Sequence, residues 1–305
     1  MMACSWFAFT VHGEPLVVVP TRHDACRQRL YLCPALPTCY LRSTIRRVHF
    51  SGGRMTSTAV SPVPEAMPPL SQGQRIINTF VAPSKTFADL KRSASWWLPF
   101  LLMSVASLLF VYVVDQKIGF RKVAENQLQM SPKNAARMEQ LPPEDRNRQM
   151  QQQASFFRYF SYGYPGVILI WNVLMAAILF ATFKFGASAD LKFKVALAIV
   201  MFASLPLIIK SLLAMLSVGV GASADSFTFQ NPIASNPGYF ISPADSHWLY
   251  NLGTALDLFM IWTLVLTAVG FSSVSKVKRS TALAIVFGWY LIFVLASTGL
   301  GAAFS

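Results

Sequence analysis

The sequence predicts an all-α, polytopic membrane protein with five transmembrane helices, an interfacial N-terminal helix and a partly helical external loop. Three observations predict it. The chain is 54% hydrophobic and only 13% charged, whereas a soluble domain carries about 25% charged residues. The apolar residues gather into five runs, each close to the roughly 20 residues that a spanning helix needs. The runs also lack the period-2 alternation of a barrel strand, which leaves helix as the state that satisfies the backbone in lipid.

The runs cover about residues 97–114, 165–183, 195–219, 250–271 and 281–301. Loop charges orient them. The turn after the second run holds Lys184, Lys192 and Lys194, and the turn after the fourth holds Lys276, Lys278 and Arg279. Loop 220–249 has no Lys or Arg, but carries Asp225, Asp245, Pro232, Pro237 and Pro243. The basic turns are therefore expected in the cytoplasm and the Pro-rich loop outside. This places the N-terminus inside, with Lys85, Lys91 and Arg92, and the C-terminus outside. The membrane implied is the cell membrane, in a bacterium the inner one.

The connector 115–163 fits this scheme least well. By counting it is external, yet it holds eight Lys/Arg, diluted by five acids. A re-entrant first segment would remove the conflict, and five full spans is the reading kept. Ser131 and Pro132 suit a helix start, as do Glu144 and Asp145. Phe156, Phe157, Tyr159, Phe160 and Tyr162 suit the headgroup zone. The connector reads as a lipid-lying helix rather than a binding site.

Residues 1–54 differ from the rest. They hold all four cysteines, seven arginines and no lysine. No paired CxxC suggests zinc. Three readings stand: an organellar transit peptide, a small disulfide-linked cap, or translation assigned to begin too early, with Met55 as the start. The last is preferred, which makes 1–54 a non-native or disordered extension. Residues 55–72 are Pro/Ser-rich and read as a flexible tail. The membrane domain is then 73–305.

The net charge of +13 sits beside the apolar runs, with no basic stripe interleaved with aromatics. The partner it implies is the lipid bilayer and not nucleic acid. Just before the first run, the chain breaks at Ala82-Pro83, and Ser84 is placed to cap the second piece. Phe87 and Leu90 share a helix face, while Lys85, Asp89, Lys91 and Arg92 are polar. With Trp96 and Trp97 following, this reads as an interfacial helix, and it is where a protein partner would dock.

These residues carry a resemblance. Phe80, Pro83 and Phe87 resemble the "F..P...F" opening of the Yip1-domain family. Asp257, Leu258, Phe259, Ile261 and Trp262, then Gly270, resemble that family's "D-[LF]-F-x-I-W…G" span, which is followed by a short basic turn. The resemblance covers about residues 73–303, and the long first external loop is similar to bacterial members. It implies a non-enzymatic membrane protein. Eukaryotic relatives associate with Rab GTPases in the early secretory pathway, while bacterial relatives are mostly of unknown function.

Two charges lie inside the runs. Lys210 is about 22 Å from the start of the third run at 1.5 Å per residue, and Asp257 lies about 20 Å above the same edge. Each costs about 2.5–3.5 kcal/mol near the bilayer centre. Two readings stand: the pair meets between the third and fourth spans, or both snorkel separately. Asn172 is expected to bond across helices, and Pro206 to free the Phe202 carbonyl. Gly288, Ser297, Gly299 and Gly301 are expected to allow close packing of the fifth span.

There is no HExxH, GxSxG or P-loop, and His247 is the only histidine after Met55. No catalytic residue, cofactor or metal is expected. The function implied is a membrane organiser or protein-interaction scaffold. The alternative is a small transporter or channel subunit using Lys210 and Asp257.

Overall fold

The computed structural model describes residues 68–304 apart from 222, 223 and 244. The readings for residues 1–54 and for most of 55–72 lie outside the described residues. Within them the chain is all-helical.

Helix α1 (Gln72–Val81) starts with a capping box: the Ser71 hydroxyl accepts from the Gln74 amide, and the Gln74 side chain accepts from the Ser71 amide. Pro83 takes the first position of α2 (Pro83–Leu90), where its missing N–H costs nothing. The start of α1 lies beside the end of α2, so the two form a hairpin. Ser84 does not cap α2; the cap position is Ala82, without a side-chain bond. Ser84 instead accepts from Arg279 Nη2 at 3.3 Å.

The first span is α3 (Trp97–Lys117), a full 21-residue helix. The connector forms α4 (Phe120–Gln129), α5 (Pro132–Glu139) and α6 (Pro143–Tyr162). Helix α6 leads directly into the second span, α7 (Tyr164–Ala181), which ends in a π-turn over Thr182–Gly186. The third span is broken into α8 (Phe193–Ala203) and α9 (Pro206–Gly219). The fourth is also broken, into α10 (His247–Ala255) and α11 (Leu258–Val274), with a bend of 51°. The fifth is α12 (Arg279–Phe304). Counting each broken pair as one crossing, five spans result.

Helix α8 is the axis. Every residue from Val195 to Ala203 is buried, and α7, α11, α3 and the α1–α2 hairpin touch it. Ala196, Ala198 and Ala203 let those neighbours approach closely. Lipid offers apolar groups as good a home as protein does, so close packing and polar closure hold such helices together. The π-turn helps by turning Phe183 inward, where it stacks on Phe271 at 4.4 Å. Leu101 and Leu109 of α3, Ile170 of α7, Leu216 of α9 and Leu291 and Leu295 of α12 remain exposed, forming the surface that lipid covers.

The connector and loop 220–246 meet on one face of the bundle. Lys122 Nζ lies 2.6 Å from Asp225 Oδ1, and Asn126 donates to the carbonyls of Ala224 and Phe227. The hydrogen bond to Asp225 raises the Lys122 pKa. Phe227 and Phe229 pack against Phe110 and Phe120. Of the eight connector cations, Arg121, Lys122 and Arg158 form ion pairs, and the first segment is one continuous 21-residue helix. On α6, Phe156, Tyr159 and Phe160 are exposed, while Met150 is buried against α4 and α5.

Pro206 does coincide with a break, but the Phe202 carbonyl is not left free. It accepts from the Leu205 amide at 3.2 Å in a tightened last turn.

Candidate functional site

The fourth span is expected from the sequence as one helix with an acid inside it, and here the structure differs. The backbone leaves the helix at Leu256, and Asp257 adopts extended geometry (φ −74°, ψ 130°) as the N-cap of α11. Its Oδ1 accepts from the amides of Phe259 and Met260 at 3.0 and 3.1 Å. A helix start leaves amides unsatisfied and carries partial positive charge, and inside a bilayer no water serves either need. A carboxylate at that point answers both.

Its other oxygen, Oδ2, is shared. Lys210 Nζ of α9 lies 2.9 Å away. The Ser235 hydroxyl donates to Oδ2, and Asn236 Nδ2 stands 3.4 Å from it. Asp257 is 4% exposed and the Lys210 side chain 20%, so the pair is largely shielded. Loop residues thus complete the site. The Leu258 amide donates to the Ser235 carbonyl at 3.1 Å. Asn236 also donates to Asn231 Oδ1 and caps the 3₁₀ turn Pro237–Phe240.

Two glycines bring that turn down onto α10. A Cβ on Gly253 would lie 2.7 Å from the Gly238 nitrogen, and one on Gly238 would collide with Thr254. From the fifth span, the Tyr290 hydroxyl donates to the Ala255 carbonyl at 2.6 Å, satisfying an acceptor freed by the break. Three other segments of chain, α9, the 231–240 loop and α12, therefore close on one helix break.

Most of the residues that carried the family resemblance occupy a second cluster, which joins the α1–α2 hairpin to α11. Phe80 of α1 meets Trp262 of α11 edge-on, at 5.7 Å between ring centroids. Phe87 of α2 is fully buried. A Cβ on Gly270 would stand 3.1 Å from the Phe87 ring and collide with Ile199 of α8. Pro83 sets the hairpin between the two phenylalanines, and Phe259 is buried two residues after the Asp257 cap.

The hairpin has a buried ion pair of its own. Arg75 Nε donates to Asp89 Oδ2 at 2.8 Å, and Nη1 donates to the Ser93 carbonyl at 2.9 Å. Arg75 is 2% exposed and Asp89 7%, so Asp89 does not lie on the polar outer face with Lys85 and Lys91. Sequence reasoning missed this pair, and it missed Ser235 and Asn236. The run "ASNPG" held a usable signal, since Ser and Asn before Pro favour turns and caps. For Arg75 the only hint was a cation on an otherwise amphipathic short helix.

Among the remaining expectations, Asn172 faces the α8–α9 break. Ser204 Oγ lies 3.2 Å from Asn172 Oδ1. Gly288 and Gly299 of α12 do not serve as contacts within the chain: nothing lies within 4 Å of a Cβ placed on either. The side chains of His247 and Gly301's surroundings lie outside the described residues.

The family model for the Yip1 domain matches residues 77–300. No curated protein and no solved structure gives a match. The matched segment runs from the α1–α2 hairpin to the last turns of α12 and contains both halves of the contact between Phe80, Phe87, Trp262 and Gly270. This chain belongs to the Yip1-domain family of membrane proteins.

Proposed function

We propose that the protein is a non-enzymatic membrane organiser, a scaffold that holds partner proteins at the membrane. The observation that carries this reading is where the family's marker residues go. Phe80, Pro83, Phe87, Trp262 and Gly270 are spent on forming a hairpin and seating it against a helix bundle, and Asp257 on closing a helix break. Residues spent on docking a hairpin build a shape rather than a reactive centre. The hairpin's outer face, with Ile77, Val81 and Lys85 exposed, is where partners are expected. The cell membrane, in a bacterium the inner one, with the N-terminus cytoplasmic and the C-terminus external, is the setting proposed.

The test is affinity capture of the full chain from detergent-solubilised membranes, with and without Ile77→Asp and Val81→Asp. A partner lost with these substitutions supports the scaffold. Capture of nothing reproducible argues against it.

A second reading, a small transporter or channel subunit, is favoured by one observation. Two broken spans meet at the Lys210–Asp257 pair, and discontinuous helices are where many transporters bind ions. Ion flux in proteoliposomes that disappears in Asp257→Asn would support it over the scaffold.

A further inference from the structure

The face opposite the connector carries cations with few partners. Lys85, Lys192, Lys194, Lys276 and Lys278 are exposed, and among the described residues none of them forms an ion pair. Asp190 is the only exposed acid described on that face. The connector face differs in holding acids among its cations, as in Lys122 with Asp225 and Arg158 with Asp115. The asymmetry has a focus. The Arg279–Ser84 contact draws the α11–α12 turn onto the first turn of α2. That brings Lys276, Lys278 and Arg279 to the corner where Lys85 also stands.

We propose that this corner binds the phosphate headgroup of an anionic phospholipid. The corner lies at the ends of spanning helices, at headgroup level, and offers a guanidinium, a hydroxyl and lysines with no acid among them. Arginine and lysine differ usefully there, the fork fixing a phosphate and the ammonium groups adding charge. Because α2 docks through Phe87 on Gly270 just behind this corner, a headgroup held there would also brace the hairpin. The lipid site does not depend on the scaffold reading, since capture of a protein partner and selection of a lipid are measured separately.

The test uses the purified full chain in neutral detergent at low salt. Thermal stability and binding are compared for added phosphatidylglycerol and phosphatidylcholine. Phosphatidylglycerol is expected to bind more tightly and to raise the melting temperature. Lys276→Gln, Lys278→Gln and Arg279→Gln together should weaken its binding roughly a hundredfold, at about fivefold per cation. The matched control, Lys117→Gln with Arg137→Gln and Arg148→Gln on the opposite face, should leave it unchanged. No preference in the wild type, or equal losses in both triples, overturns the proposal. So does inorganic phosphate that reproduces the lipid's effect. If the corner triple does not fold, a photoactivatable anionic lipid on the wild type decides. Labelling at residues 84–85 and 276–279 supports the site, and labelling confined to α4–α6 overturns it.

Discussion

Asp257 shows why an acid belongs in a run otherwise fit for hydrocarbon. It caps a helix that starts inside the membrane, and Lys210 neutralises it. Removing one partner of a buried pair is costly because the other is stranded, typically by about 3–5 kcal/mol. Asp257→Ala is expected to cost more than Lys210→Met, since it also removes the cap and the acceptor of the Ser235 hydroxyl. The double variant should lose less than the sum of the two, with coupling of about 1–3 kcal/mol. Denaturation of the detergent-purified variants measures this, and strictly additive losses would dismiss the coupling. Gly270 makes a contrasting case. Gly270→Val must push aside Ile199 and Phe87 and should cost about 1–3 kcal/mol as an overpacked core. Gly288→Val meets open space and should stay within about 0.5 kcal/mol.

The elements that decide this fold are the interrupted ones. The α1–α2 hairpin is too short to stand alone, because helices under about 12 residues are marginal in water. It is held by Phe87 against Gly270 of α11, by the burial of Leu90 and by Arg75 on Asp89. Arg75→Ala leaves a buried carboxylate without its partner. Amides of α1 and α2 should then exchange hydrogen faster while those of α8 stay protected. Unchanged exchange in the hairpin would mean that the ion pair does not hold it. Loop 220–246 is an element of the same kind, pinned by Phe227 and Phe229 at one end and by Ser235 and Asn236 at the other. Its composition alone reads as an irregular, Pro-rich connection. Its anchors are legible only once α3, α4 and α11 are in place, because each anchor is long-range in sequence.

For the molecule as a whole, topology is the property to check. With the four native cysteines replaced by serine, single cysteines at Asp190→Cys and Asp245→Cys should be labelled from opposite sides of the membrane. Both positions are exposed. Labelling of both from one side would break the five-crossing arrangement.

The sequence by itself determined the helical class, the places of the crossings and the family. Those follow from apolar run length, from loop charge and from motif order, all of them local properties that lipid enforces residue by residue. It also placed Lys210 and Asp257 at similar depth. Only the tertiary structure decided that the fourth span breaks at Leu256, that Asp89 turns inward to Arg75, and that α8 is the buried axis while Gly288 and Gly299 of α12 meet open space. The reason is that hydropathy reports preference for lipid over water. It does not report which helix a side chain meets, or where a backbone amide inside the membrane finds an acceptor from another segment.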